Sequence, residues 1–265
     1  MKTIKMIAVD MDGTFLDSNM AYNKERFMKQ YQEMKEKGIR FVVASGNQYY
    51  QLISFFPEIK DEISFVAENG AYVVDQGKAL FNAEMSQTLV HTVLDVLSHY
   101  DDVLYITCGV KGAYMKQEVP QELYDDVSRY YHRLNYVDDL YAVEDTIFKF
   151  ALLAEPEVLP QLEKELNDKV GHLIHAVTSG HRAIDLIVPG VHKASGLKRL
   201  QAIYDIQDDH VAAFGDSNND LEMLKHAHHS FAVENARDSV KEASKTIIGN
   251  HNDEAVLNTF SDILR

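Results

Sequence analysis

Residues 4–14 read IKMIAVDMDGT, an apolar run that ends in two carboxylates two positions apart. Residues 39–47, IRFVVASGN, and residues 211–220, VAAFGDSNND, repeat this pattern of an apolar run followed by polar side chains. Such runs are typical of strands that are buried on both faces, as in a parallel sheet. Because ligands bind outside the carboxyl ends of these strands, we expect the three polar segments to meet at one sheet edge.

Helical patterns separate these predicted strands. Residues 23–37 carry Phe27, Tyr31 and Met34 at helical spacing, and Gly38 is typical of a helix end. Residues 64–67 predict a further strand. This alternation predicts an α/β fold with a doubly wound, Rossmann-like parallel sheet as its core.

The alternation changes near Asn82 and resumes after residues 189–190. Between them, the patterns predict an α+β block with its own sheet. Its helices are expected at residues 85–100, 120–134 and from about Pro156, and its strands near residues 104–107, 113–115, 147–154, 173–177 and 182–187. We therefore expect a core of residues 1–82 and 186–265 and an inserted domain of residues 83–185.

Composition restricts the partners and the compartment. The chain has 265 residues and a formal net charge of −15, which argues against nucleic acid and anionic membranes as partners. The single cysteine, Cys108, excludes an internal disulfide framework. We see neither a signal peptide nor an apolar stretch of membrane-spanning length. We expect a cytoplasmic protein, as a monomer or small homo-oligomer.

The paired carboxylates suggest phosphoryl chemistry. Asp10 and Asp12 can point the same way at a strand end, and Gly13 lets the chain turn away sharply. One carboxylate can attack phosphorus while the other serves as general acid and then base. Asp216 can share a cation with Asp10, and the Asp12 carbonyl is a further oxygen ligand. Oxygen ligands without cysteine suggest Mg²⁺.

Other residues could bind the phosphoryl group. Ser45 offers a hydroxyl, and the following N–H groups offer donors. Lys193 begins a predicted helix and supplies a positive charge. The alternative is a set of acidic loops on an unrelated nucleotide-binding fold. However, no Gly-x-Gly-x-x-Gly follows the first strand, and there is no Gly-Lys-Ser/Thr phosphate loop.

Together, these segments resemble the four motifs of the haloacid dehalogenase superfamily. The matching residues are 10–14 (DMDGT), 45–46 (SG), Lys193 and 215–220 (GDSNND). The insertion resembles the C2B cap of the Cof-type members. Residues 43–57 and 65–71 are most similar to a bacterial sugar phosphatase group within that family.

The resemblance implies catalytic and metal-binding roles. Asp10 would be the nucleophile that becomes an aspartyl phosphate, and Asp12 would protonate the leaving alkoxide and then activate water. Mg²⁺ would be held by Asp10, the Asp12 carbonyl and Asp216. Lys193 would be the third catalytic residue, binding the phosphoryl group beside Asp10.

The resemblance also implies a phosphate-binding set. Ser45, Gly46 and Asn219 would bind the phosphoryl group, and Asp220 would orient Lys193 or a metal-bound water. Many Cof-type members carry Arg or Lys where this chain has Asn47. We expect Lys193 and the metal to supply the missing positive charge.

The expected function is that of a Mg²⁺-dependent phosphatase. Its substrates would be sugar phosphates or similar small phosphorylated metabolites, hydrolysed through an aspartyl-phosphate intermediate. One alternative is a sugar phosphotransferase or phosphomutase, because Asp12 could activate a sugar hydroxyl instead of water. Another is a non-catalytic regulator that binds sugar phosphates.

Several other polar residues have competing interpretations. Strand alternation predicts a solvent-facing Lys149, although it could instead reach a sugar phosphate. His226, His228 and His229 are expected to form a solvated helix end rather than a transition-metal site.

Three further segments belong to the predicted inserted domain. Residues 130–131, two tyrosines, are expected in its core or at an interface. By family analogy, residues 108–114 and 180–182 are candidate contacts of the cap.

Overall fold

The computed structural model describes residues 3–155, 157–178 and 183–265. In chain order, its strands are β1 (Met6–Val9), β2 (Arg40–Ala44), β3 (Ser64–Ala67), β4 (Tyr72–Asp75), β5 (Lys78–Asn82), β6 (Leu104–Gly109), β7 (Ala113–Lys116), β8 (Leu134–Val137), β9 (Ile147–Leu153), β10 (His175–Thr178), β11 (Ala183–Ile187), β12 (Val211–Gly215), β13 (His229–Ala232) and β14 (Thr246–Ile247). Its α-helices are α1 (Lys24–Glu36), α2 (Tyr49–Phe55), α3 (Gln87–Leu97), α4 (Gln121–Ser128), α5 (Leu159–Val170), α6 (Lys193–Tyr204), α7 (Leu221–His226), α8 (Asp238–Ala243) and α9 (Ala255–Leu264).

The first sheet has the order β14-β13-β12-β1-β2-β3-β4-β5. Strands β14 to β3 are parallel, which confirms the predicted α/β class. Strands β4 and β5 were not predicted; β4 pairs antiparallel with β3, and β5 pairs antiparallel with β4 at the edge of the sheet. The two-residue turn between them places Gln76 and Gly77 at φ 49° and 74°. Such turns favour tight hairpins.

An aromatic cluster supports the turn that follows β1. Phe15, at the end of this turn, lies 5.3 Å from Phe27 of α1 and 6.0 Å from Phe41 of β2, measured between ring centroids. Phe260 of α9 lies 6.4 Å from the Phe15 ring. Burial of each ring contributes roughly 1.5–3 kcal/mol. The cluster therefore holds the first acidic motif against a rigid sheet.

The second sheet has the order β10-β11-β9-β6-β7-β8 and is antiparallel except for the pair β7–β8. The predicted helix over residues 120–134 was wrong in its length, because α4 ends at Ser128 and residues 134–137 form β8. Two glutamine side chains at the start of α2 bind the backbone that follows α4. Gln51 Nε2 donates to the Arg129 carbonyl at 3.1 Å, and the Arg133 N–H donates to Gln48 Oε1 at 2.9 Å. These tertiary contacts and the β7–β8 pairing override the helical pattern.

The predicted domain boundaries, at residues 83 and 185, remain a prediction. The α+β block has its own sheet, and β11 belongs to that sheet as far as Ile187. Residues 108–114 contact α2, because the Tyr50 hydroxyl donates to the Val110 carbonyl at 2.8 Å. Pro156 and the candidate contact residues 180–182 lie outside the described residues.

Across the described ranges, no helix combines the length and the apolar character that spanning a membrane requires.

Candidate active site

The structure brings the three polar segments together at the carboxyl ends of three neighbouring strands. Strand β1 lies between β12 and β2. Asp10 follows β1, Ser45 follows β2 and Asp216 follows β12. All three line a cavity of about 540 Å³ that lies between the first sheet and the second. This is the position at which parallel sheets bind their ligands.

The turn after β1 fits closely against Asp216. The Asp10 N–H donates to the Phe214 carbonyl at 3.0 Å, which ties the end of β1 to β12. Gly13 has φ 73°, and a Cβ at this position would lie 2.9 Å from Asp216 Oδ2. The Thr14 hydroxyl donates to Asp216 Oδ1 at 3.1 Å. Only glycine allows this approach of the two motifs.

Lys193 is buried at the first position of α6. His192 caps the helix, because its Nδ1 accepts from the Ser195 N–H at 3.3 Å and its own N–H donates to Ser195 Oγ at 3.1 Å. The Lys193 ammonium donates to Asp10 Oδ1 and to Asp220 Oδ1, both at 2.6 Å. This cap was not predicted, although a polar pair three residues apart at the start of a helix is its signature.

Negative charge exceeds positive charge in this cluster. Asp10, Asp216 and Asp220 each offer a carboxylate oxygen, and these atoms lie within 4.8 Å of one another. Burial and then the Asp220 carboxylate raise the pKa of Asp10, while Lys193 opposes the rise. The same two causes raise the pKa of Asp216. Burial would lower the pKa of Lys193, but Asp10 and Asp220 outweigh it and raise that pKa, so the ammonium stays charged.

The donor set suits a hard divalent cation. Both oxygens of Asp220 are engaged, because Oδ1 accepts from Lys193 and Oδ2 accepts from the backbone N–H groups of Asp216 and Ser217 at 3.0 Å each. Within the described part of the chain, the buried Asp12 Oδ1 has no hydrogen-bond partner. Oxygen donors alone, with excess negative charge, are what Mg²⁺ prefers.

Asn47 holds the second carboxylate of the first motif. Its Nδ2 donates to Asp12 Oδ2 at 2.5 Å. Burial raises the pKa of Asp12, and this hydrogen bond and the charge of Lys193 oppose the rise. From the sequence, Asn47 was interpreted only as the loss of a positive charge. The structure shows that it orients Asp12.

The candidate phosphate-binding residues lie together on one side of the cavity. Ser45 is buried, and its Oγ accepts from the Asn47 N–H at 3.1 Å. A Cβ on Gly46 would lie 3.1 Å from Asn69 Nδ2, so the loop packs closely on Asn69. Asn219 Nδ2 donates to Asn69 Oδ1 at 2.9 Å. Ser45, Gly46 and Asn219 all line the cavity.

The prediction of a solvent-facing Lys149 was wrong. Its side chain is 1% exposed and lines the cavity, and its ammonium contacts Glu68 Oε2. The expected solvent exposure fails because both faces of β9 are covered: Phe148 and Ala151 pack in the apolar core shared with the first sheet, and Phe150 packs in a second apolar core. Asp185, the second carboxylate beside Lys149, was not predicted as a site residue. A lysine flanked by phenylalanines in a central strand was the available signal.

The far wall of the cavity is mainly apolar and comes from the second sheet and α4. Its residues are Ile106, Leu123, Val127, Tyr130, Tyr131, Ala151 and Leu153. The tyrosine pair thus lines the cavity, with Tyr130 48% exposed. This wall can contact an organic leaving group, whereas Asp10, Asp12 and Asp216 line the other side of the cavity.

The prediction of a solvated helix end was wrong for two of the three histidines, because His226 is largely buried and His229 is half-buried in β13. The His226 side chain is 9% exposed, and its Nε2 lies 2.6 Å from Gln201 Oε1. His228 is exposed as expected. In the described residues, the one group of three or more potential ligand side chains that could hold a metal is the aspartate cluster beside Lys193.

Comparisons with known proteins agree with this geometry. A family described as haloacid dehalogenase-like hydrolase matches residues 7–260. The chain is 51% identical to 5-amino-6-(5-phospho-D-ribitylamino)uracil phosphatase YbjI of Escherichia coli (strain K12), over 99% of this chain and 97% of that protein. It is 27% identical to the Bacillus subtilis (strain 168) phosphatase YitU, whose name gives the same substrate, over 94% of this chain and 93% of that protein.

Solved structures share the whole fold. SMU.1108c from Streptococcus mutans UA159 superposes with a TM-score of 0.92 at 32% identity, covering 99% of each chain. TM0651 from Thermotoga maritima superposes with a TM-score of 0.84 at 21% identity, covering 98% of this chain and 97% of that one. At 21% identity, the similarity to TM0651 shows a shared fold alone.

Proposed function

The chain belongs to the haloacid dehalogenase-like hydrolases, and we propose that it is a Mg²⁺-dependent phosphatase of small phosphorylated metabolites. One observation carries the proposal. Asp10 and Asp12 lie together in the cavity, with Lys193 bound to the first and Asn47 to the second. A protein that only bound phosphate would need neither a nucleophile nor an acid beside it. The paired carboxylates therefore support catalysis over a purely regulatory role.

The first step would transfer the phosphoryl group to Asp10. Lys193 binds Oδ1 of Asp10, so we assign the attack on phosphorus to Oδ2. As this bond forms, the bond from phosphorus to the ester oxygen breaks. Asp12 gives its proton to the leaving alkoxide, and its raised pKa suits it to carry that proton.

The second step would release the phosphate. Asp12, now ionised, takes a proton from water, and the resulting hydroxide attacks phosphorus. The bond from phosphorus to Asp10 breaks, which restores the Asp10 carboxylate and yields inorganic phosphate. Asn47 keeps Asp12 in place for both proton transfers.

Positive charge must be concentrated locally in this acidic chain. A Mg²⁺ ion held by Asp10, the Asp12 carbonyl and Asp216 would neutralise phosphoryl charge when bound. Lys193 supplies the fixed cation, and Asp220 orients it. Ser45, Gly46 and Asn219, which line the same side of the cavity, would contact the phosphoryl oxygens.

The second sheet would act as the cap that selects the leaving group. We assign the cap to residues 83–185 and the catalytic core to residues 1–82 and 186–265. The cavity of about 540 Å³ fits a small metabolite, and its apolar wall suits a planar ring. By analogy with its 51% identical relative, we propose 5-amino-6-(5-phospho-D-ribitylamino)uracil as a substrate. Its phosphorylated polyol arm also fits the expected sugar-phosphate chemistry.

Phosphate release from a substrate panel tests this proposal. The panel contains this phosphorylated ribitylaminouracil, sugar phosphates, flavin mononucleotide, pyridoxal phosphate and nucleotides, each with Mg²⁺ and with EDTA. We expect metal-dependent release, fastest from the ribitylaminouracil ester. Equal rates in EDTA would contradict the metal requirement, and inactivity toward the whole panel would contradict the phosphatase. Adding an acceptor alcohol and separating the products would detect phosphotransfer.

A further inference from the structure

A buried ionic cluster joins the two sheets beside the proposed phosphate site. It consists of Lys149 on β9, Asp185 on β11 and Glu68 at the end of β3, and we call it the Lys149 cluster. The lysine ammonium contacts Glu68 Oε2, lies 3.5 Å from Asp185 Oδ2 and donates to the Gly46 carbonyl oxygen at 3.2 Å. An ammonium has three N–H donors, and these acceptors number three. The lysine is thereby committed to the protein itself.

Stability alone does not explain this cluster. Each of the three ionisable side chains is at most 3% exposed. Burial would lower the pKa of Lys149, but Asp185 and Glu68 outweigh it and hold that pKa well above its usual range. The ammonium is therefore charged at neutral pH. Because buried ion pairs are often no more stabilising than apolar side chains of similar volume, the cluster calls for another explanation.

The backbone beside Glu68 shows where the cluster acts. Glu68, Asn69 and Gly70 have φ values of 52°, 56° and 93°, a left-handed run that costs conformational energy at the first two residues. The Glu68 N–H donates to the Asn47 carbonyl at 3.1 Å, and the Asn69 N–H donates to the Ser45 carbonyl at 2.9 Å. The strained turn thus holds the phosphate-binding loop on both sides of Gly46.

Side-chain contacts extend this connection to a second candidate phosphate ligand. Asn69 Nδ2 donates to Asp185 Oδ2 at 2.8 Å, and Asn69 Oδ1 accepts from Asn219 at 2.9 Å. A continuous path of hydrogen bonds and ion pairs therefore runs from Lys149 through Asp185 and Asn69 to Asn219. The two parts of the proposed phosphate site, the loop with Ser45 and Gly46 and the side chain of Asn219, are therefore both connected to the Lys149 cluster.

We propose that Lys149, held by Glu68 and Asp185, is a positioning residue that orients the phosphate-binding loop by binding the Gly46 carbonyl. The peptide bond is planar, so fixing this carbonyl also fixes the Asn47 N–H on the same peptide. That N–H donates to Ser45 Oγ, and the Asn47 side chain donates to Asp12. Lys149 would thus align the candidate phosphate ligand and the proposed acid together.

The position of Lys149 has a consequence for the cap. Lys149 and Asp185 belong to the second sheet, whereas Gly46 and Glu68 belong to the first. The phosphate-binding loop therefore gains its full set of contacts only when the second sheet is seated on the first. This inference rests on the proposed function, because it concerns the same phosphate site.

Binding of inorganic phosphate tests the positioning role without any substrate. We would measure its dissociation constant by isothermal titration calorimetry in Mg²⁺ buffer. The main variant combines Lys149→Met, Glu68→Gln and Asp185→Asn, which removes all three charges and leaves none unpaired. We expect the dissociation constant to rise about tenfold, as for the loss of a hydrogen bond at a buried site, with a near-normal melting temperature.

A matched control separates positioning from general contact between the sheets. Tyr50→Phe removes the hydrogen bond from α2 to Val110, which also joins the two sheets but lies outside the cluster. We expect this variant to bind phosphate like the wild type. A merely structural role of the Lys149 cluster would lower the melting temperature and leave phosphate affinity unchanged.

Each outcome decides the proposal. Unchanged phosphate affinity in the folded triple variant would overturn it. If the triple variant does not fold, the single variant Asp185→Asn provides the test. It should fold, because the Lys149 ammonium still faces one carboxylate, that of Glu68. We expect about a threefold weaker affinity there, and an unchanged value would overturn the proposal. A wild type that binds no phosphate would contradict the proposed function itself.

Discussion

Two buried lysines in this protein have similar partners and different surroundings. Lys193 lies between Asp10 and Asp220, and Lys149 lies between Glu68 and Asp185. Both lysine side chains are at most 1% exposed. The two carboxylate partners of Lys193 follow strands of the first sheet. Those of Lys149 come from both sheets, because Glu68 follows β3 and Asp185 lies in β11.

The difference lies in the remaining contacts of each cluster. A third carboxylate, Asp216, lies beside the Lys193 group, and Asp10 also faces the cavity. Lys149 instead gives its remaining donor to the Gly46 carbonyl. Excess carboxylate beside a cavity favours a bound cation and a reacting phosphoryl group. An ammonium with every donor engaged favours a fixed backbone position.

The largest expected effect comes from exchanging one carboxylate in each cluster. Asp10→Asn should lower turnover on the order of 10⁴-fold or more, because the nucleophile is lost. Asp185→Asn should retain most turnover. Phosphate release measures both, and circular dichroism checks folding. Asp10→Asn should remain folded, since it removes one of three crowded carboxylates. Full turnover in that variant would rule out the proposed mechanism.

Removing either lysine should affect stability to a similar extent. Lys193→Met and Lys149→Met each leave two buried carboxylates without their ammonium, which should cost about 3–5 kcal/mol. Urea unfolding measures this loss. The matched control is Lys198→Met, an exposed position on the same helix as Lys193, with an expected change within about 0.5 kcal/mol. Equal stability of Lys149→Met and the wild type would show that the comparison between the clusters is wrong.

Asn47 provides a test of moderate size at the cavity. Its hydrogen bond opposes the rise in the pKa of Asp12, so Asn47→Ala should raise that pKa further. If Asp12 acts as the acid, the alkaline limb of kcat/KM moves to higher pH. We also expect a loss of roughly tenfold at the optimum. Asn258→Ala, in an exposed part of α9, is the control. A shift of the limb to lower pH would argue against Asp12 as the acid.

The smallest expected effect concerns the pH dependence of stability. Burial raises the pKa of Glu68, although Lys149 opposes the rise. A carboxyl group with a raised folded-state pKa binds its proton more tightly in the folded protein. Its contribution to stability is therefore complete below the unfolded-state pKa and is lost as pH rises through the folded-state value.

Glu68→Gln removes this dependence. The stability of the wild type relative to this variant should be greater at pH 4 than at pH 8. Urea unfolding at both pH values measures the difference. A larger wild-type advantage at pH 8 would mean that the ion pair with Lys149 outweighs burial.

Much of the first sheet could be predicted from local patterns. The apolar runs at β1, β2 and β12 identify buried parallel strands, because both faces of each must be covered. The hairpin of β4 and β5 escaped prediction, since its turn depends on two residues with positive φ. The end of α4 was not predicted for another reason. It depends on contacts with a distant segment, since Gln48 and Gln51 bind the backbone beyond the helix.

The amino-acid sequence by itself determined the strand ends that carry Asp10, Ser45 and Asp216, because short apolar runs and the residues that follow them are local features. Only the tertiary structure decided which distant side chains complete the site. Lys149 lies 103 residues from the Gly46 carbonyl that it binds, and Asn69 lies 116 residues from Asp185. Such contacts depend on how the two sheets pack together, and no pattern within one segment encodes them.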